Sequence, residues 1–90
     1  MDQREEIERV GNKIEKHILI FALSRIDAGS PCFYMEDLVR FVQNRVGVAP
    51  DSASRILRML RQAKKMDYEV VSRSDSYYRI KKVGDRVAPP

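Results

Sequence analysis

Arg55, Arg58, Arg61 and Lys65 recur at intervals of three and four residues, the spacing that lines side chains along one face of a helix. At 100° per residue, Ser54 and Gln62 fall on the same arc, while Ala53, Ile56, Leu57 and Leu60 gather on the opposite side. That polar arc reads as free of acid, whereas a merely solvated helix generally mixes signs. A guanidinium fork suits bidentate contact with phosphate or with guanine O6 and N7. The chemistry to expect of such a face is recognition of a polyanion, with duplex DNA the natural one. Ser52, Ser54, Arg55 and Arg58 lie toward the N-terminal end, where base edges are met, and Arg61, Gln62 and Lys65 toward the backbone.

A second polar set follows. Arg73, Ser74 and Ser76 flank a turn, and Tyr77, Arg79 and Lys81 alternate along a β-rich segment, leaving Tyr78 and Ile80 for a core. The lysines at 81 and 82 are equally expected to protect an edge strand from aggregation. Bond-making chemistry finds no comparable set. His17 and Cys32 are each the only residue of their type, and neither has a carboxylate cluster at metal-ligand spacing. The four glycines are scattered, so no phosphate-cradling loop is present. A surface histidine, a small buried cysteine, no metal, no cofactor, no small-molecule ligand and no enzymatic activity are expected.

Charge is distributed unevenly. Residues 1–39 carry five basic groups against eight acidic ones, net −3; residues 40–90 carry twelve against five, net +7. The resulting field draws a polyanion to one end of the molecule and repels it from the other. With 90 residues, 43% of them apolar, the chain is expected to form one domain over residues 1–83, with 84–90 as a loose tail. The run Ile18-Leu19-Ile20-Phe21-Ala22-Leu23 is far too short to span a bilayer, and no apolar leader is visible, so a cytoplasmic or nucleoid-associated location is expected.

The elements that must position these groups can be read from periodicity. Ile7, Val10, Ile14, Ile18 and Phe21 form the stripe of a long first helix over residues 2–27, with Leu19, Leu23 and Ile26 as a second apolar line that predicts burial on both sides. Gly11 weakens its first half. Gly29 and Pro31 end it, Cys32-Phe33-Tyr34 is extended, and Met35–Val46 is a second helix closed by Gly47. A third helix starts near Pro50, capped by Asp51 or Ser52, and runs to about Met66. Residues 68–73 and 77–83 make a hairpin around Ser74-Asp75-Ser76.

The fold class is therefore mainly α with an α+β character. The Met35–Val46 helix, the turn Gly47-Val48-Ala49-Pro50, the run Ser52-Ala53-Ser54-Arg55-Ile56-Leu57-Arg58-Met59-Leu60 and the hairpin ending in Tyr78-Arg79-Ile80 together resemble the winged helix-turn-helix superfamily over about residues 18–83. The resemblance implies three helices plus a C-terminal β-hairpin wing, the third helix in the major groove and the wing along the backbone or minor groove. It departs from common members at Tyr34, where many place Ser or Thr, and at Lys65-Met66-Asp67, where many have a glycine. Small compact members of this kind are typical of viral or prokaryotic regulators.

About 25 helical residues span roughly 37 Å, more than so small a domain needs. Residues 1–17 are therefore expected to overhang, and Ile7, Val10, Ile14 and Ile18 to form a homodimer interface, unless the helix folds back over its own domain. The function expected is sequence-specific DNA binding in transcriptional regulation. Its alternatives are a winged-helix protein-interaction module in a larger assembly, and an architectural or replication-associated binder of low specificity.

Overall fold

The structure is a computed structural model describing residues 3–89; the side chains of residues 3–12 and of Pro50 lie outside the description. Helix α1 (Gln3–Asp27) runs unbroken through Gly11. It ends where Gly29 takes a left-handed conformation, letting Ser30 N–H donate to Arg25 O at 3.1 Å and Gly29 N–H to Ile26 O at 3.0 Å. Strand β1 (Cys32–Tyr34) leads directly into α2 (Met35–Val46), which closes on Gly47 at φ 69°. Helix α3 (Pro50–Gln62) follows, then β2 (Met66–Ser72), β3 (Tyr77–Val83) and β4 (Arg86–Val87).

Three helices thus pack on an antiparallel sheet of four strands, an α+β arrangement. β3 is central. β2 pairs with one edge of it, and β1 and β4 share the other, β1 on its first half (Phe33 opposite Tyr78) and β4 on its last (Val83 opposite Arg86). The core lies between sheet and helices: Ile18, Leu38, Val42, Leu57, Met66 and Ile80 are all but inaccessible to solvent. Phe21 meets Phe33 edge-on at 5.7 Å, Phe33 stacks on Tyr78 at 5.7 Å, and Tyr78 meets Tyr68 edge-on, an aromatic chain from α1 across the sheet.

Several expectations are corrected. α3 ends at Gln62, not Met66. Lys64 turns into the left-handed region (φ 61°), so Lys65 N–H donates to Leu60 O and Lys64 N–H to Arg61 O. That closing turn ordinarily favours glycine. Met66 is instead the first residue of β2 and is buried. Neither Asp51 nor Ser52 caps α3: Ala49 is the N-cap and Pro50 opens the helix. At α2 the capping side chain missing from Tyr34 is replaced by the hairpin turn, whose Ser76 carbonyl accepts Met35 N–H at 2.9 Å.

The expected loose tail is also structured. Arg86 pairs with Asp27, Ala88 N–H donates to Lys81 O at 2.9 Å, and Arg79 reaches Pro89 O. Ile14 (3% exposed) and Ile18 (0%) are buried in the chain's own core, so they are withdrawn as dimer-interface residues. The side chains of Ile7 and Val10 lie outside the described residues. The second apolar line is only partly covered: Leu19 and Leu23 are half-buried, and Ile20 is exposed. Cys32 is half-buried. His17 is half-buried too, not a surface residue: its ring meets Phe41 edge-on at 6.5 Å, with Nδ1 unpartnered.

A lysine held at positive φ costs about 1 kcal/mol relative to glycine. Lys64→Gly should therefore raise stability by about 0.5–1 kcal/mol, read as a melting temperature about 2–8 °C higher in a calorimetric scan.

Candidate nucleic-acid interface

α3 presents its outer face because its inner one is spent on the core. Ala53, Leu57 and Leu60 are buried, whereas Arg55, Arg58, Met59 and Gln62 are exposed and Ser52 and Ser54 half-buried. Arg55 and Arg58 stand about one turn apart. Among the described residues neither joins an ion pair.

The other two expected cations of this face are engaged within the fold. Arg61 Nε lies 3.6 Å from Asp67 Oδ1, and its guanidinium sits 5.0 Å from the centre of the Tyr68 ring. Burial pushes the Tyr68 phenol above its usual range, and the neighbouring Arg61 charge opposes that rise. Lys65 Nζ lies 2.7 Å from Glu15 Oε1, on α1. These pairs link α3 and the turn after it to β2 and α1; both side chains stay about half exposed (Arg61 52%, Lys65 55%), so they differ from Arg55 and Arg58 in being paired, not in facing inward. The hydroxyl of Ser54 donates to Asp51 O at 3.0 Å, within its own helix.

Two residues outside the expected set, Met59 and Asp51, belong to this face, and Lys64 lies just past its end. Met59 is 54% exposed, an apolar side chain one turn from both Arg55 and Gln62. Its place on the polar arc was legible from the 100° step alone. Asp51 is exposed in the first turn and, one turn before Arg55, puts an acid on the arc expected to be free of acid. Lys64, exposed at the far end, has no ion pair among the described residues.

The hairpin does not gather its expected residues onto one surface. Because β1 pairs with the first three residues of β3, only the turn Arg73–Ser76 extends past the three-stranded part. Arg73, Ser74 and Ser76 are exposed there, with Asp75 accepting from Ser72 Oγ at 3.1 Å. Tyr77 is half-buried, stacked 4.5 Å from Tyr34. Arg79 donates to Pro89 O at 3.4 Å, and Lys81 sits 4.0 Å from Glu69. A register shift between Asp67 and Tyr68 leaves Lys81 without a β2 partner and turns both Lys81 and Lys82 outward.

Compared with protein-family profiles, with curated proteins and with solved structures, the chain matches none. No group of three or more His, Cys, Asp or Glu among the described residues could hold a metal ion, and no described helix is long and apolar enough to cross a membrane.

Arg61→Ala should lower stability by about 0.5–1.5 kcal/mol, since it removes a half-exposed ion pair and a cation–π contact. Arg58→Ala and Arg55→Ala should stay within about 0.5 kcal/mol of the parent. Urea denaturation of the three variants checks the partition.

Proposed function

We propose that this chain is a non-catalytic winged-helix protein that binds double-stranded DNA, with α3 in the major groove and transcriptional regulation as its role. The observation that carries the reading is the pair Arg55 and Arg58, exposed on the outer face of α3 without an ion pair among the described residues. Arg61 and Lys65, toward the C-terminal end, are each paired with an acid, whereas the two central arginines are not, which fits a face kept for an anionic partner. The order of elements supports the fold assignment: helix, strand, helix, helix, strand, strand, followed by the two-residue β4, with β1 hydrogen-bonded to β3 and a three-residue turn, residues 47–49, between α2 and α3.

The face has the composition of a reader more than of a general grip. Arginine forks match guanine O6 and N7, Gln62 can address adenine N6 and N7, and Met59 offers apolar contact to a thymine methyl. Asp51 can accept from cytosine N4, and a carboxylate at that place disfavours indiscriminate approach to phosphates. Arg73 at the hairpin tip and Lys64 at the end of α3 are the backbone contacts. Arg79 and Lys81, held by Pro89 and Glu69, contribute less than the sequence led one to expect.

Selection from random duplexes at physiological salt tests the reading. One enriched sequence class should emerge. On that site Arg58→Ala should cost about 1–3 kcal/mol while random-sequence binding changes little. Asp51→Asn should tighten random-sequence binding and narrow the gap between the two. Equal losses for Arg58→Ala on both targets would favour an architectural binder. Affinity that does not fall with salt would exclude DNA and leave the protein-interaction role.

A further inference from the structure

Along α1, Lys16, Ile20, Leu23 and Asp27 follow one another at intervals of four, three and four residues. This is the spacing of a coiled-coil seam. The seam lies on the side of α1 away from the core. Lys16 and Asp27 are exposed, Ile20 is 43% exposed and Leu23 half-buried. Leu19 borders it, and the Glu15–Lys65 ion pair forms one wall of the shallow groove they make together.

The seam is apolar in the middle and oppositely charged at its ends, and that asymmetry selects an occupant. Consider a two-fold axis crossing α1 between Phe21 and Ala22. Residues equidistant from it come face to face, so Ile20 meets Leu23 of the partner subunit and Lys16 meets Asp27 of the partner subunit, each contact occurring twice. A parallel pairing would instead set Lys16 against Lys16 and Asp27 against Asp27, which like charges disfavour. Asp27 already accepts from Arg86 of its own chain. Its second carboxylate oxygen remains available to an ammonium, so the two bonds are compatible. The inward stripe of Ile14 and Ile18 is consumed by the core, which leaves this outer seam as the apolar surface of α1 open to a partner among the residues whose side chains are described.

We propose that two copies of the chain pair through this seam, α1 against α1 in antiparallel register, with Ile20 and Leu23 as the buried centre and Lys16–Asp27 bridges at both ends. The proposal stands independently of the DNA-binding reading.

Sedimentation of the full chain from about 1 to 200 μM reads the oligomeric state. A dimer of twice 10.5 kDa is expected. Ile20→Glu should raise its dissociation constant at least about 100-fold while circular dichroism and melting temperature hold, since Ile20 is outside the core. Register is read by oxidation in a Cys32→Ser background. A mixture of the Lys16→Cys and Asp27→Cys chains should cross-link as a heterodimer. Neither alone should, because two copies of position 16 lie about 16 Å apart along the antiparallel pair, beyond disulfide reach. A monomeric mass throughout, an Ile20→Glu chain that still dimerises, or Lys16→Cys cross-linking to itself as well as to its counterpart would each overturn the proposal.

Discussion

β3 is hydrogen-bonded along both edges, and most of the structure follows from that constraint. On one side it pairs with β2 over its whole length; on the other it holds the short β1 and then the still shorter β4. A strand as short as β1 is not stable alone. It is held by its ladder to β3, by Ile80 N–H donating to Pro31 O at 2.9 Å, and by Met35 N–H donating to Ser76 O. Those bonds fix the end of α1 and the start of α2 to the hairpin, so the helices cannot be placed without the sheet. Ile80 (0% exposed), at the middle of β3, is where the layers meet. The hairpin tip is in turn tied to the start of α2 through the Ser76 carbonyl.

The same arrangement decides which charges remain available. β2 begins soon after α3 and brings Asp67 and Tyr68 beneath Arg61; α1 brings Glu15 to Lys65. Exposed ion pairs contribute little to stability one at a time; the rotation of α3 is set by Ala53, Leu57 and Leu60, buried in the core, and the two pairs lie at its C-terminal end and in the turn after it. Rotation is what determines which residues face outward. Arg55, Arg58, Met59 and Gln62 owe their exposure to the packing of the opposite side of α3 into the core. Every contact proposed for them with a nucleic acid depends on that orientation.

Strongly periodic elements were legible in the sequence, and elements that rest on distant partners were not. α2 was readable at both ends, since Leu38 and Val42 mark its inner face and Gly47 its close. α3 was read too long because Ala63, Lys64 and Lys65 are good helix formers; Lys64 turns left-handed there so that Met66 can enter β2 opposite Val83, a tertiary demand that overrides propensity. β4 escaped notice because two residues have no period, and its pairing depends on β3 and on Asp27 far away in sequence. At the candidate interface, the helical wheel located the basic arc but not which of its members are neutralised. Glu15 and Asp67 are invisible to a wheel drawn on α3 alone. Length showed that α1 is long, yet it could not show where the core begins, and so Ile14 and Ile18 were assigned to an interface they do not form.

The two faces of α1 show how one helix can serve the fold and an assembly without conflict. A helix apolar on both sides must bury both or leave one for a partner. Here the stripe of Ile14, Ile18, Phe21 and Ile26 is fully used, while the opposite line is covered only at its flank by Lys65 and Glu15. That ion pair joins the seam to the turn that follows α3, and it borders Leu19. A second copy seated on the seam would shield the pair from solvent, and there the stronger attraction at lower dielectric is set against the cost of desolvating both charges.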